Sequence, residues 1–408
     1  MAAPPIAKPM VLVMVGLPAR GKTYLARKLS NYLSWLGYAT RVFNVGNYRR
    51  NEVGRHMPAQ FFNPMNESGV EARRRVAMHA LDDLLAWIDE GGRIGIYDAT
   101  NSTRARRDLV RQRCEDRGLE VLFIETICND QAVIEANIRE TKLSAPDYED
   151  MTNTDAAADF RARIDCYEQA YEPVEEDSSH IKLIDVGRRV VANRLQGYLG
   201  GRLLNFAMNL HITPRPILLT RHGESRHNAA ELIGGDSPLS RRGEGYARDL
   251  ATWVRREQPG ELVVWTSTLL RTIQTAAELG RETLPIRALD EIDAGVCDGM
   301  TYEEIAAELP DEFAARQANK LSYRYPRGES YEDVIRRLDP VIIELERQRD
   351  PVLIVAHQAV LRALYGYIKG LPLEKVPHLP IPLHTVIKVV PKAYGADEER
   401  IPLGVTSG

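Results

Sequence analysis

Eight residues near the start of the chain, Gly16-Leu17-Pro18-Ala19-Arg20-Gly21-Lys22-Thr23, fit the pattern G-x-x-x-x-G-K-[ST]. Glycines there let backbone N–H groups turn inward around phosphate oxygens, and the helix that follows adds partial positive charge at its N-terminus. In such a loop Lys22 reaches the β- and γ-phosphates of a nucleotide and Thr23 holds Mg2+. A chance glycine-rich turn is the alternative. The apolar run before the loop and the helical pattern after it favour the nucleotide. Arg93-Ile94-Gly95-Ile96-Tyr97-Asp98 reads as a strand ending in an acid. A P-loop enzyme places its metal-facing Asp there, although an Asp at a strand end can equally be a helix cap. Thr100-Asn101-Ser102-Thr103 continues as a polar loop at the same strand end, where ligands of open α/β sheets sit. Tyr48-Arg49-Arg50, Arg73-Arg74-Arg75 and Arg104-Ala105-Arg106-Arg107 could hold a phosphorylated acceptor. Each taken singly reads as well as a solvated helix face.

A second group lies far along the chain. Thr220-Arg221-His222-Gly223-Glu224 follows the apolar strand Ile217–Leu219. The strand Val352–Ala356 ends in His357, and Arg271 lies just past a third strand. Strands that each deliver a histidine to one sheet edge suit phosphoryl transfer. One imidazole attacks phosphorus and becomes a phosphohistidine. Arg221, Arg271 and His357 neutralise the equatorial oxygens. Neighbouring cations keep the attacking nitrogen unprotonated. A carboxylic acid then protonates the leaving oxygen, and Glu291 in Asp290-Glu291-Ile292-Asp293 is the candidate. This half calls for no cofactor.

The elements that position these residues alternate. Strands are expected at Met10–Val15, Thr40–Val45, Arg93–Tyr97, Leu119–Ile127 and Ile181–Val186. Helices are expected at Lys22–Leu36 and Val70–Ile88, where apolar residues recur at helical spacing. Gly197 to Gly201 reads as a glycine-rich joint, and the two prolines of His211–Pro216 suit a linker. A second series follows: strand Ile217–Thr220, helix Ser240–Arg256, strand Leu262–Trp265, helix Thr268–Gly280, helix Tyr331–Arg347, strand Val352–Ala356 and helix Ala359–Ile368. The fold class is therefore α/β with two domains, 1–213 and 214–408, the first a mostly parallel sheet with flanking helices and the second an α/β sandwich.

Composition agrees. The chain has 408 residues, 44% of them hydrophobic and 27% charged, an ordinary globular balance. The 53 Lys+Arg against 57 Asp+Glu leave −4, which argues against a nucleic-acid binder. The four cysteines, Cys114, Cys128, Cys166 and Cys297, form no C-x-x-C pair, so neither a zinc ribbon nor a disulfide framework is expected. Met10–Val15 is too short for a membrane span or a signal core, which points to a cytoplasmic protein.

Longer strings carry a resemblance. Arg221-His222-Gly223-Glu224 with His357 resembles the histidine phosphatase (phosphoglycerate mutase-like) superfamily. Gly-Leu-Pro-Ala-Arg-Gly-Lys-Thr-Tyr at 16–24, Phe-Asn-Val-Gly-Asn-Tyr-Arg-Arg at 43–50 and Tyr-Asp-Ala-Thr-Asn at 97–101 resemble the kinase half of the 6-phosphofructo-2-kinase/fructose-2,6-bisphosphatase family. Glu-Ile-Asp-Ala-Gly-Val-Cys at 291–297, Tyr-Arg-Tyr-Pro-Arg-Gly-Glu-Ser-Tyr-Glu-Asp at 323–333 and His-Gln-Ala-Val-Leu-Arg at 357–362 resemble its phosphatase half. The resemblance implies a P-loop kinase domain followed by a histidine phosphatase domain. It implies ATP and Mg2+ for the first, sugar phosphates as substrates, and a homodimer through the kinase domains.

It also implies site residues. ATP contacts fall on Gly16, Leu17, Pro18, Ala19, Arg20, Gly21, Lys22, Thr23, Asn137 and Lys142, with Thr23 and Asp98 facing the metal. Fructose 6-phosphate contacts fall on Arg49, Arg73, Thr100, Arg106, Arg163 and Tyr167. In the phosphatase half His222 falls on the nucleophile and Glu291 on the acid. Arg221, Asn228, Arg271 and His357 fall around the reacting phosphate. Tyr302, Arg316, Lys320, Tyr331, Gln358 and Arg362 fall on the rest of the sugar bisphosphate. Many eukaryotic relatives carry regulatory phosphosites on longer tails. Here the first Ser is Ser30, and Ser407 has Gly404 three positions earlier instead of a basic residue, so tail phosphorylation of that type is not expected. Retention of only one activity, a related sugar phosphate as substrate, and a nucleic-acid end-processing kinase/phosphatase are the rival readings.

Overall fold

The apolar run Met10–Val15 forms strand β1 and is buried at every position, as a strand covered on both faces must be. The computed structural model describes residues 8–404, apart from 145–146, 149–151, 186, 212–213, 258–259 and 393–394. At 140–144 and 153–154 it describes backbone alone. The chain divides into two compact units at Ile212/Thr213.

In the first unit β1 is followed by α1 (Lys22–Trp35), β2 (Thr40–Asn44), α2 (Val45–Glu52), α3 (Glu67–Asp89), β3 (Ile94–Asp98) and α4 (Arg104–Glu115). Then come β4 (Glu120–Ile127), α5 (Gln131–Ser144), α6 (Asn153–Glu168), β5 (His180–Ile184), β6 (Arg189–Asn193) and α7 (Gly197–Asn209). The described strands form a six-stranded sheet in the order β2-β3-β1-β4-β5-β6. All neighbours are parallel except β5 and β6. Val11, Val13 and Val15 of β1 pack with Leu81, Leu84 and Leu85 of α3 and Phe123 of β4 on one face of the sheet. Helix α3 starts three residues before the expected Val70, because the Asn66 side chain accepts from Gly69 N and caps it.

The glycine-rich joint is a correction. Gly197 starts α7 with a left-handed φ of 72°, and the segment then coils as a helix. Leu199, Leu203 and Phe206 bury one face of it, and Phe206 stacks on Tyr32 with ring centroids 4.2 Å apart. Tertiary burial outweighs the weak helix propensity of the glycines. Strand β5 stops at Ile184. Val186 of the expected strand and residues 212–213 of the expected linker lie outside the described residues.

The second unit runs β7 (Ile217–Arg221), α8 (Arg226–Ala229), α9 (Arg241–Glu257), β8 (Val263–Thr266), α10 (Leu270–Ala277) and β9 (Thr283–Pro285). It continues with α11 (Tyr302–Glu308), α12 (Pro310–Ala318), α13 (Tyr331–Arg347), β10 (Val352–Ala356), α14 (Gln358–Lys369), β11 (Thr385–Lys392) and β12 (Gly395–Pro402). The sheet order is β12-β11-β7-β10-β8-β9. Strands β7, β10, β8 and β9 are mutually parallel, while β11 pairs antiparallel with β7 and β12. The sequence reading places no strand at β11 or β12. Antiparallel additions need no crossover helix, so they leave no strand–helix alternation to read.

Register sets up the site. Ala356 pairs with Arg221, and Val355 with Thr266. The next residue on each strand, His357, His222 and Ser267, therefore leaves the sheet at the same carboxyl edge.

Candidate active sites

In the first unit the loop after β1 turns through Gly16 at φ 136°, Ala19 at φ 58° and Gly21 at φ 81°. A Cβ at Gly16 would stand 2.5 Å from the Thr126 carbonyl oxygen, so only glycine fits the approach of this loop to β4. Gly16 N donates to Thr100 O at 3.0 Å, which ties the polar loop after β3 to the same place. Lys22 is buried, and its Nζ donates to Leu17 O at 2.5 Å. Burial pulls its pKa down to about 8; Asp98 opposes that shift and Arg20 adds to it. Asp98 is buried too, and burial raises its pKa against the pull of Lys22, Asn44 and Thr23. Asn44 Nδ2 donates to its Oδ2 at 2.5 Å, and the Thr23 hydroxyl hydrogen-bonds the same carboxylate. A buried carboxylate beside a hydroxyl is a hard oxygen set that fits Mg2+.

Beside this loop opens a cleft. Arg20, Tyr24, Leu25, Val133, Asn137 and Leu210 are among its walls. Asn137 Nδ2 donates to Ala19 O at 2.9 Å and so fixes the loop from α5. Arg20 hydrogen-bonds Pro18 O and pairs with Glu168 at 3.5 Å. The backbone of Lys142 belongs to α5, but its side chain lies outside what is described.

The arginines expected on the sugar side fall into two groups. Arg73 and Arg106 lie within electrostatic range of each other: burial first, and the like charge of Arg106 with it, lowers the pKa of Arg73 against the pull of Tyr167 and Cys166. Arg106 hydrogen-bonds the Tyr97 hydroxyl, and Arg73 donates to Phe61 O. Two guanidinium groups within range of each other attract an anion. Arg49 and Arg163 instead converge on Asp147, whose carboxylate is 6% exposed. Arg49 Nη2 reaches both carboxylate oxygens, at 2.8 and 2.6 Å, and its Nη1 donates to Gly54 O and Arg55 O. Both terminal nitrogens of Arg49 therefore face protein acceptors, so it would meet a substrate only after leaving them. Arg163 stacks 4.4 Å above the Phe62 ring and 5.0 Å from that of Tyr148.

In the second unit His222 and His357 stand with ring centroids 5.0 Å apart, both buried. His222 Nδ1 donates to Gly223 O at 2.7 Å, which leaves its lone pair on Nε2. Arg271 Nε points at that lone pair, at 3.2 Å. Burial first, then Arg271 and Arg221, holds the His222 pKa well below the ordinary histidine value. The nitrogen is thus unprotonated at neutral pH, with Arg271 as its hydrogen-bond donor. Burial lowers Arg221 to about 10 against the pull of Glu291, and its Nε is buried without a protein partner. Such a donor suits a phosphoryl oxygen. Glu291 is fixed by N–H groups of Ile292, Gln358 and Ala359 at 3.0–3.1 Å, at the N-terminus of α14. Asn228 Oδ1 accepts from Ser225 N in a capping box, so Asn228 shapes the loop after His222.

A second cationic cluster continues from the first. Arg362 adds to the lowering of Arg221, and together with Arg316 it adds to the burial that brings Lys320 down to about 8. Arg362 Nη1 donates to Tyr331 OH at 3.1 Å. Arg316 is held by Tyr325 OH and Tyr302 OH at 2.8 and 2.9 Å. The backbone N–H of Gln358 goes to Glu291, which sets Gln358 beside that carboxylate.

Comparison with known proteins decides the family. A family described as 6-phosphofructo-2-kinase matches residues 4–214, and the histidine phosphatase superfamily (branch 1) matches residues 217–401. A protein of Gallus gallus named 6-phosphofructo-2-kinase/fructose-2,6-bisphosphatase is 50% identical over 97% of this chain and 85% of its own. An Arabidopsis thaliana protein of the same name is 51% identical over 99% of this chain, which spans 55% of that relative's length. The chain belongs to the 6-phosphofructo-2-kinase/fructose-2,6-bisphosphatase family.

Within that family frame, several residues at the sites were not legible from sequence. Asp147 sits in a Pro-Asp-Tyr stretch that reads as a turn. Asn44 reads as an ordinary strand end. Ser267 and Thr272 carry no motif of their own, and only the β8–β10 register puts Ser267 beside His357. Arg107, from one of the basic clusters, is a strut: it donates to Asn101 O, Glu172 O and Pro173 O and pairs with Glu175 at 2.7 Å. Among the described residues no helix is long and apolar enough to cross a membrane.

Proposed function

We propose that the first unit transfers the γ-phosphoryl of ATP to O2 of fructose 6-phosphate, and that the second removes it by way of phospho-His222. One observation carries the substrate class. Two cationic sites lie in series in the second unit: His222, Arg221 and Arg271, then Arg362, Lys320 and Arg316. A sugar bearing two phosphates would satisfy both.

The kinase residues work by position and charge. The loop N–H groups and Lys22 hold the phosphates, and Arg73 with Arg106 holds the sugar phosphate. Thr23 and Asp98 would hold Mg2+, which when bound supplies charge neutralisation at the β- and γ-oxygens. In the phosphatase His222 Nε2 attacks phosphorus, and the P–O bond to the sugar breaks. The sugar oxygen takes its proton from Glu291. Water then attacks the phosphohistidine, giving its proton to Glu291, and P–N cleavage releases inorganic phosphate. The free thiols of the four cysteines suit a cytoplasmic setting.

The test is turnover of the purified chain with Mg-ATP and fructose 6-phosphate. Expected is an acid-labile sugar bisphosphate that the same chain then hydrolyses back to fructose 6-phosphate. ATP consumption with a different acceptor, or no product at all, would overturn the kinase reading.

Lys320 gives a second check. The free enzyme should lose kcat/KM for fructose 2,6-bisphosphate as pH climbs through about 8, because the lysine sheds its proton there. Lys320→Met should lower kcat/KM by about 10- to 100-fold at pH 7, the weight of a charged hydrogen bond, and should remove that alkaline step. A wild-type profile without the step would place the second phosphate elsewhere.

A further inference from the structure

We propose that the Ser267 hydroxyl, backed by Thr272, is a positioning group that fixes the tautomer of His357 and so aims the shared Nε–H of Arg271. The role in turnover rests on the phosphatase reading above; the hydrogen-bond polarity does not. Arg271 Nε lies 3.2 Å from His222 Nε2 and 3.3 Å from His357 Nδ1. A guanidinium nitrogen only donates, so both ring nitrogens must present lone pairs. A neutral imidazole with its lone pair on Nδ1 carries its proton on Nε2. His357 Nε2 is 2.8 Å from Ser267 Oγ, which must therefore accept.

The far end of the chain of hydroxyls gives the same polarity independently. Thr272 Oγ1 is 2.8 Å from Leu269 O, and a carbonyl only accepts. Thr272 uses its one proton there, so at its 2.8 Å contact with Ser267 it accepts. Ser267 then has no proton for His357 and takes one from it. Its remaining acceptor capacity meets Leu269 N at 3.1 Å. The direction runs His357 Nε2–H to Ser267 to Thr272 to Leu269 O. Ser267, Thr272 and His357 are each 0% exposed, so solvent cannot substitute for a missing member. Burial, together with Arg271, keeps His357 neutral, as this arrangement requires.

Without Ser267 the proton can move to Nδ1. An N–H would then face the Arg271 N–H, and Arg271 would turn away from both histidines. That loss falls on turnover, because Arg271 lies against the nucleophilic nitrogen.

The experiment uses the full chain labelled with 15N-histidine, with His357→Gln to assign its signal. Wild type should show His357 as the Nε2–H tautomer, and Ser267→Ala should shift it towards Nδ1–H. Bisphosphatase kcat should fall about 10- to 100-fold, the range when an outer partner orienting a functional histidine is lost. KM should stay within about twofold and kinase turnover should not change. Thr272→Val should act in the same direction and Thr272→Ser should restore wild-type values, which keeps the test alive if Ser267→Ala does not fold. An Nδ1–H tautomer in wild type overturns the proposal. So does wild-type turnover in both Ser267→Ala and Thr272→Val, or an equal loss in Thr272→Ser. A wild type that hydrolyses no fructose 2,6-bisphosphate fails the functional reading, while the tautomer still tests the hydroxyl relay.

Discussion

Replacing His222 with alanine is expected to lower bisphosphatase turnover by at least ~10⁴-fold, the scale of losing a covalent nucleophile. The reason is geometric. Nδ1 is committed to Gly223 O at 2.7 Å, so Nε2 alone can attack, and it faces Arg271 at 3.2 Å. Burial and the two arginines keep that nitrogen unprotonated. His357 presents the other ring nitrogen to Arg271, Nδ1, and its Nε2 is turned to Ser267, so the two histidines are not interchangeable.

The measurement is labelling with sugar bisphosphate carrying 32P at the 2-position. Wild type should give an acid-labile, base-stable phosphoenzyme, as a P–N bond requires, and His222→Ala should give none. With Mg-ATP and fructose 6-phosphate the variant should also accumulate more sugar bisphosphate than wild type, since its kinase unit is untouched. Continued labelling at another residue would overturn the nucleophile assignment.

The two motifs were legible because each is local. In Gly16–Thr23 the conformation and the chemistry come from neighbouring residues, so a short string carries both. Arg221-His222-Gly223 likewise announces a strand end with a candidate nucleophile. His357 needed one further step, that strands in one parallel sheet end at one edge. The rest depends on distance in the chain. Arg316 sits on α12 like any surface charge, and only the fold brings Tyr302 and Tyr325 against it. Adjacent arginines show the limit most clearly. Arg106 hydrogen-bonds the Tyr97 hydroxyl within electrostatic range of Arg73, whereas Arg107, one residue on, points about 100° round the helix into a set of carbonyls. Nothing in the composition of Arg-Ala-Arg-Arg separates a candidate ligand from a strut. Strands β11 and β12 escaped for the related reason that β-α alternation reports only parallel neighbours.

Replacing Lys22 is expected to abolish kinase turnover, by ~10³-fold or more, since phosphoryl transfer in such a loop rests on positioning and on charge set against the β- and γ-phosphates. The same change should not unfold the protein. Burial lowers the Lys22 pKa from 10.5 to about 8. A lysine whose folded pKa is depressed destabilises the fold while it is protonated, fully below pH 8, and that penalty fades as pH rises from 8 towards 10.5. The shift corresponds to about 3 kcal/mol at neutral pH. Lys22→Met removes the buried cation but leaves Asp98 without its counter-charge, which offsets part of the gain. The melting temperature should therefore hold or rise at pH 7 while ATP-dependent activity is lost. Phosphatase turnover in the same preparation serves as the internal control and should stay near wild type. Equal loss of both activities would mean that the two units do not function independently. A large fall in melting temperature with both activities retained would make Lys22 a structural residue. The lysine's placement instead reads as stability given up for binding: a cation held out of water, with the Leu17 carbonyl and Asp98 as its protein partners.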